Sequence, residues 1–327
     1  MALQILIIKS SALGDIIHSF DLLVYLKKKY KQDVQIDWVV EKPNVELCSR
    51  HPLIDNVITI DSKKWRKNLF DPEISLFRKK MGQKKYDVAF DLQGNIKSAL
   101  VLLCVKAKKK VGFGRKSVAE WPNLLFTNQR FNPPKGQNIR QDYLYLVQRY
   151  FGDQTPVLHE PIALQLTEQE RDKLKEISPN ATVVAAGSRW PNKELGETRL
   201  IAELQKLRGP FIFVGKGESE RARAEALAAH FPDNSSLLPE VGLALLQNIL
   251  ARVSLVVSMD SLVLHLCGTT NTPSLSFFGP SLAVKYAPVG EQHKSVQGSC
   301  PYGRTFEKRC PILRTCKTGA CLKGAPL

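Results

Sequence analysis

The feature that most constrains this chain is an alternation. Short, mostly apolar runs take turns with longer runs that are apolar only at helical spacing. Ile5–Ile8 carries no polar side chain. A strand of that kind is buried on both faces, as in a parallel sheet covered by helices on each side. Phe20–Tyr30 follows with helical spacing and closes on Lys27, Lys28 and Lys29, cations that suit a helix C-terminus. Val34–Val40, Val57–Ile60 and Asp87–Leu92 read as further strands, and Ile96–Val105 and Arg140–Tyr150 as helices. Strands alternating with helices predict βαβ units and a parallel sheet.

The pattern breaks once and then resumes. Phe151–Gln165 contains Pro156 and Pro161 and reads as a linker. Thr167 and Glu170 have capping-box spacing and open a new helix. Thr182–Ala186, Phe211–Val214, Leu255–Ser258 and Ser274–Phe278 are the strands of the second half, the last of these closing the sheet. Ser219–Ala229, Leu243–Arg252 and Leu262–Cys267 are its helices. With 327 residues the chain suits two domains of about 150 residues each, expected at 1–155 and 156–327. The fold class is α/β, with two doubly wound sheets. Such sheets bind ligands beyond the carboxyl ends of their strands, so the expected site is a cleft facing both sets of ends.

Hydrophobic residues at 43% and charged residues at 24% exclude a disordered chain. The charge balance is unusual: 47 Lys and Arg stand against 31 Asp and Glu, a net +16. Nucleic acid, an anionic membrane surface or a substrate bearing phosphates would each suit it. Nucleic-acid binding predicts aromatic and basic residues interleaved on one surface. The aromatics here lie mostly inside the expected strands and helices, against that reading. Met1–Ile8 meets Lys9 without a basic leader, and no apolar run approaches the roughly 20 residues of a spanning helix. A cytoplasmic protein that reaches a membrane from the side is expected. Cys48, Cys104 and Cys267 lie in apolar segments and read as core residues. Cys300, Cys310, Cys316 and Cys321 crowd the tail without a Cys-x-x-Cys pair, which weakens a zinc reading and leaves their role open.

Four segments carry candidate chemistry. Lys9-Ser10-Ser11-Ala12-Leu13-Gly14-Asp15 joins a strand to a helix. Ser11 and Gly14 are small enough for a ligand to approach the backbone, and Asp15 is either an N-cap or a general base. Gly187-Ser188-Arg189-Trp190-Pro191-Asn192-Lys193 is a basic turn after a strand, suited to a diphosphate or simply to solvent. In Ser258-Met259-Asp260-Ser261-Leu262-Val263-Leu264-His265, backbone N–H groups at a helix start can receive phosphate. Asp260 there is an N-cap or a sugar ligand, and His265 is a core residue or a ligand. Lys63-Lys64-Trp65-Arg66-Lys67 is a basic cluster that either faces solvent only or meets a phosphorylated acceptor, with Trp65 as an apolar floor. Gly215-Lys216-Gly217 lacks the third glycine of a dinucleotide loop. No Asp-x-Asp pattern, the commonest metal-binding pattern of metal-dependent glycosyltransferases, occurs.

In order along the chain these segments resemble the ADP-heptose:lipopolysaccharide heptosyltransferases, most closely heptosyltransferase I. The resemblance rests on the loop Ile5–His18, on Asp37-Trp38-Val39-Val40-Glu41, on Lys64–Lys67, on Tyr86-Asp87 through Asp91-Leu92-Gln93-Gly94 to Lys97-Ser98-Ala99, and on Val256–Asp260 with His265 and Phe278-Gly279-Pro280. It implies the GT-B fold of two Rossmann-like domains, the first binding acceptor and the second donor. It implies an inverting, metal-independent transfer of heptose from ADP-heptose to the Kdo of a lipid A precursor at the inner leaflet, with no cofactor. Asp15 would be the base and Lys193 would neutralise the leaving diphosphate. Donor contacts would come from Ser11, Gly14, Gly187, Ser188, Glu218 (with Glu220 a close competitor), Asp260, Ser261, Leu262 and His265. Acceptor contacts would come from Lys63, Lys64, Arg66 and Lys116. The chain departs from the family at Ser261-Leu262, where a Thr-Gly pair is usual, and near Ala119, where an arginine is missing and Lys116 is the nearest substitute. A related transferase using another nucleotide sugar is the alternative.

Overall fold

The computed structural model describes residues 2–68 and 70–323; Met1, Leu69 and residues 324–327 lie outside the description. The chain divides into two compact units, Met1–Leu158 and His159–Leu327, so the division falls three residues later than the sequence predicts.

The first unit begins with β1 (Leu3–Ile8), α1 (Leu13–Ile17), α2 (Asp21–Tyr30), β2 (Val34–Glu41), α3 (Val45–Ser49) and β3 (Asn56–Ile60). It continues with α4 (Ser62–Lys67), α5 (Pro72–Gln83), β4 (Lys85–Asp91), α6 (Ile96–Cys104), β5 (Lys106–Phe113), β6 (Gln129–Phe131) and α7 (Ile139–Tyr150). Its six strands are parallel, in the order β3-β2-β1-β4-β5-β6. Ile5–Ile8 at the centre are 0% exposed, as a strand buried on both faces requires.

The second unit begins with α8 (Glu168–Lys175), β7 (Thr182–Ala185), α9 (Glu197–Leu204), β8 (Phe211–Phe213), α10 (Gly217–Ala228) and β9 (Ser235–Leu237). There follow α11 (Leu243–Arg252), β10 (Leu255–Met259), α12 (Leu262–Cys267), β11 (Ser274–Phe278), α13 (Ala283–Tyr286), β12 (His293–Gln297) and α14 (Ala320–Lys323). Its order, β12-β11-β10-β7-β8-β9, repeats that of the first sheet and is again parallel throughout. Residues 153–167 are irregular, as the prolines predict. The buried Gln247 amide draws this segment in, donating to the Ile162 carbonyl at 2.5 Å and accepting from the Leu164 N–H at 3.2 Å.

Three expectations change. Ser274–Phe278 is not the last strand: β12 pairs beyond it at the sheet edge, where a half-polar strand is tolerated because one side meets solvent. β5 escapes the sequence pattern because its first half is Lys106-Ala107-Lys108-Lys109-Lys110, and only its last residues are buried. Cys48 and Cys267 are buried as expected, but Cys104 is half-exposed at the end of α6.

His51 carries a pH prediction. It is 2% exposed, stacks on Phe20 at 4.3 Å between centroids, and accepts the Leu53 N–H on Nδ1 at 3.2 Å. Burial holds its pKa down to about 3. The unfolded chain protonates this group near its ordinary value, so its contribution to stability is complete above that value and is lost as pH falls toward 3. Urea unfolding from pH 7 to 4 should show His51→Phe flattening the decline by up to about 1.4 kcal/mol per pH unit.

Candidate active site

In the first unit the chemistry gathers where β1 and β4 end. Asp91, the last residue of β4, is 0% exposed. It accepts the Gln93 and Gly94 N–H groups at 2.9 Å, the Ser98 hydroxyl at 2.8 Å and the Asn123 amide at 2.6 Å. Burial pushes its carboxyl up, against those four bonds. Gly94 takes φ +67°, and a Cβ there would sit 3.3 Å from Phe113, so the turn requires glycine. This turn aims Gln93, whose side-chain Oε1 accepts the Ser10 and Ser11 N–H groups at 3.2 and 3.3 Å. The loop bearing Ser11, Gly14 and Asp15 is thereby tied to β4.

Asp15 is not an N-cap. It lies within the first turn of α1, whose N-cap is Ala12, and accepts the Ala12 N–H at 3.3 Å. Lys9, just behind it, is 4% exposed, donates to the Leu92 carbonyl at 3.2 Å and lies 4.8 Å over the Tyr143 ring. Burial lowers its pKa, while the charges of Asp15 and Asp91 oppose that fall. Lys97 donates to the Ser11 hydroxyl at 3.1 Å and to Glu41 at 2.9 Å. Glu41 in turn accepts the Ser62 N–H at 3.1 Å and the Ser62 hydroxyl. Lys97 and Glu41 both lie in segments that carry the family resemblance, but nothing local marks either as a site residue: their meeting joins β2 to α6.

The expected acceptor cations are dispersed. Lys63 and Arg66 are exposed on α4 and Lys116 is exposed after β5. Lys64 already pairs with Glu73 at 2.7 Å and Asp71 at 3.2 Å. Trp65 is not an open floor, because it packs on Phe77 at 5.3 Å between centroids.

In the second unit three predicted residues converge. Asp260, 5% exposed at the end of β10, meets the Lys193 ammonium at 2.5 Å and His265 Nε2 at 3.4 Å. The Ser281 hydroxyl also donates to it. Burial alone would push the Asp260 carboxyl up; the His265 bond and the Lys193 charge overcome it and hold the group well below the usual carboxylate range. The N-cap of α12 is Ser261, not Asp260, and the Ser261 hydroxyl lies 3.0 Å from that of Ser258. Leu262, partly exposed, opens the helix. Ser281 was missed, although it directly follows Phe278-Gly279-Pro280.

The turn after β7 is not a surface turn. Ser188, Asn192 and Lys193 are each 8% exposed, and only Arg189 and Pro191 face solvent fully. Gly187 is required because a Cβ would lie 2.8 Å from the Glu220 side chain. Glu220 itself accepts the Lys216 N–H at 3.0 Å. Glu218 stands exposed in the first turn of α10, apart from the Asp260 cluster. The cysteine-rich tail returns to brace this turn: Asn192 donates to the Leu313 carbonyl at 2.5 Å and to that of Cys316 at 3.2 Å. Leu322 is 0% exposed against Gly279. All four tail cysteines are free and line one small pocket. Burial and the neighbouring thiols push Cys321 up to about 11, whereas the Gly319 N–H draws Cys316 down. Among the described residues no three His, Cys, Asp or Glu side chains are grouped to hold a metal ion.

Two parallel six-stranded sheets among the described residues give the chain a GT-B-like α/β fold. Residues 74–315 match glycosyltransferase family 9 (heptosyltransferase), and the chain belongs to that family. Lipopolysaccharide heptosyltransferase 1 of Pseudomonas aeruginosa is 28% identical over 322 residues, covering 96% of this chain and 89% of that protein. The enzyme of the same name from Campylobacter coli is 29% identical over 305 residues, covering 87% and 86%. The structure of E. coli heptosyltransferase WaaC with ADP-2-deoxy-2-fluoro heptose superposes with a TM-score of 0.74 at 25% identity, covering 91% of this chain and 94% of that one.

Removing Asp260 should unmask the burial of Lys193. Asp260→Ala leaves a cation 8% exposed without its carboxylate, which costs about 3–5 kcal/mol when a buried pair is broken. Urea unfolding should report that loss, and Asp260→Ala/Lys193→Met should recover a substantial part of it.

Proposed function

We propose that this chain transfers heptose from ADP-L-glycero-D-manno-heptose to the Kdo of a lipid A precursor, with inversion and without a metal ion, on the cytoplasmic face of the inner membrane. The observation that carries the reading is the buried Lys193–Asp260–His265 cluster, in a chain similar over 96% of its length to a lipopolysaccharide heptosyltransferase 1. An ADP-heptose analogue is the ligand of the related E. coli structure.

The first unit binds the acceptor and the second the donor. Asp15 removes the proton of the acceptor hydroxyl. That oxygen attacks the anomeric carbon from the face opposite the diphosphate, the bond from carbon to the diphosphate oxygen breaks, and ADP departs with the electron pair. Lys193, held by Asp260 in the resting site, neutralises the charge that grows on the diphosphate; charge that appears only in the transition state is where a fixed cation accelerates most. His265 fixes the other Asp260 oxygen. Ser188, Ser261, Leu262 and the backbone at Gly187 border the diphosphate, Ser11 and Gly14 the transferred sugar, and Glu218 holds the ribose. Lys63, Lys64, Arg66 and Lys116 bind the acidic groups of the acceptor. Among the described residues no helix is long and apolar enough to cross a membrane, which suits an enzyme that reaches its lipid acceptor from one side.

A second reading keeps the fold and changes the donor. Leu262 stands at the first position of α12, where the family usually has glycine, and its side chain would restrict the approach of a diphosphate. ADP release from ADP-heptose, beside a panel of other nucleotide sugars, separates the two.

The central test is ADP release with ADP-heptose and Kdo-lipid A in the presence of a chelator. Turnover should persist, and Asp15→Ala should lower kcat at least about 100-fold, the scale of a missing general base. Undiminished turnover in Asp15→Ala would remove that residue from the chemistry. Turnover abolished by the chelator and restored by a divalent ion would overturn the metal-free step.

A further inference from the structure

Helix α6 has two apolar faces. Ala99, Val101 and Leu102 fill the core of the first unit, while Ile96, Leu100 and Leu103 stand 49%, 58% and 58% exposed. The exposed three are spaced four and three residues apart, so they form one stripe. The 3-10 turn Trp121–Phe126 packs against α6, anchored where Glu120 accepts the Ile96 N–H at 2.8 Å. That turn exposes two further large side chains, Trp121 at 69% and Leu125 at 73%. A surface helix ordinarily turns one apolar stripe to the core and a polar face to solvent, and a cluster of exposed large apolar groups marks a surface that meets something.

The charge around this stripe selects what it meets. Residues 62–126 hold sixteen Lys and Arg against five Asp and Glu, so eleven of the chain's sixteen excess positive charges lie in this one stretch. A second copy would bring like charge to like. An anionic bilayer brings opposite charge to the lysines and a hydrocarbon boundary to Leu100, Leu103 and Trp121, the pairing by which amphipathic surfaces lie in a membrane interface. Lys97 adds a positional argument. It sits on the same helix and donates to the Ser11 hydroxyl, beside the loop of Asp15, so α6 carries both the exposed stripe and a contact to the site.

We infer that α6 and the Trp121–Phe126 turn are the surface by which the protein docks on an anionic phospholipid bilayer. The inference rests on the proposed lipid-linked acceptor, and it adds which face meets the lipid. The test uses the purified full chain and vesicles of phosphatidylethanolamine with phosphatidylglycerol, against vesicles of phosphatidylcholine alone. The variant Leu100→Ser/Leu103→Ser/Leu125→Ser changes only exposed positions and should fold as the wild type does by circular dichroism. The wild type should sediment with the anionic vesicles, prefer them to the neutral ones, and release from them at high salt. The variant should bind at least about tenfold more weakly and keep its turnover on an acceptor stripped of its acyl chains. Equal binding by variant and wild type would overturn the inference, as would no preference for anionic vesicles. A wild-type dimer that the variant turns into a monomer would assign the face to self-association instead. Failure of both proteins to turn over the stripped acceptor, with the vesicle results as expected, would contradict the proposed reaction while leaving the docking face supported.

Discussion

Burial of both faces of each parallel sheet is the constraint on which the rest of this protein depends. A strand such as Ile5–Ile8, 0% exposed along its length, has no room for a polar side chain until it ends. Several buried charged groups therefore collect at strand termini, in both units. β1 delivers Lys9 and the loop to Asp15, β4 delivers Asp91, and β10 delivers Asp260. Each is buried at the end of an apolar run and must find partners there. Asp91 takes four hydrogen bonds and becomes a fixed point for the loop that aims Gln93 at Ser10 and Ser11. Asp260 takes a lysine, a histidine and a serine and becomes a fixed point for the turn that carries Lys193.

The same constraint explains what could be read from the sequence. Central strands announce themselves because burial on both faces demands mostly apolar runs; β1, β2, β4, β7, β10 and β11 were all legible. β5 and β12 were not, since half of one is lysine and the other lies at an edge where solvent relaxes the demand. Lys193, Asp260 and His265 stood out because they lie in the segments that follow β7 and β10. Ser281, Lys97 and Glu41 did not, because their meaning lies in contacts across 21 and 56 residues of chain. Turn chemistry was also only half legible. Asp15 and Asp260 both looked like N-caps, yet Ala12 and Ser261 hold those positions; Asp15 instead accepts the Ala12 N–H from the third position of α1, and Asp260 takes Lys193 and His265.

The tail shows how a mostly irregular segment, closed by α14, braces a turn. Its backbone carbonyls at Leu313 and Cys316 hold Asn192, the residue before Lys193, while Leu322 seals the core beside Gly279. Four free thiols gather there and line one small pocket beside Asn192. In the first unit, Lys63, Lys64, Arg66 and Lys116 and the exposed face of α6 belong to one strongly basic stretch of the chain.

The most direct test of the account is the product itself. Proton NMR of ADP-heptose incubated with the protein and an acceptor lacking acyl chains, with chelator present, follows both the donor and the new linkage. The account predicts one ADP formed for each new glycosidic bond and an anomeric configuration opposite to that of the donor. A product that retains the donor configuration, or ADP released with free heptose and no new linkage, would contradict it.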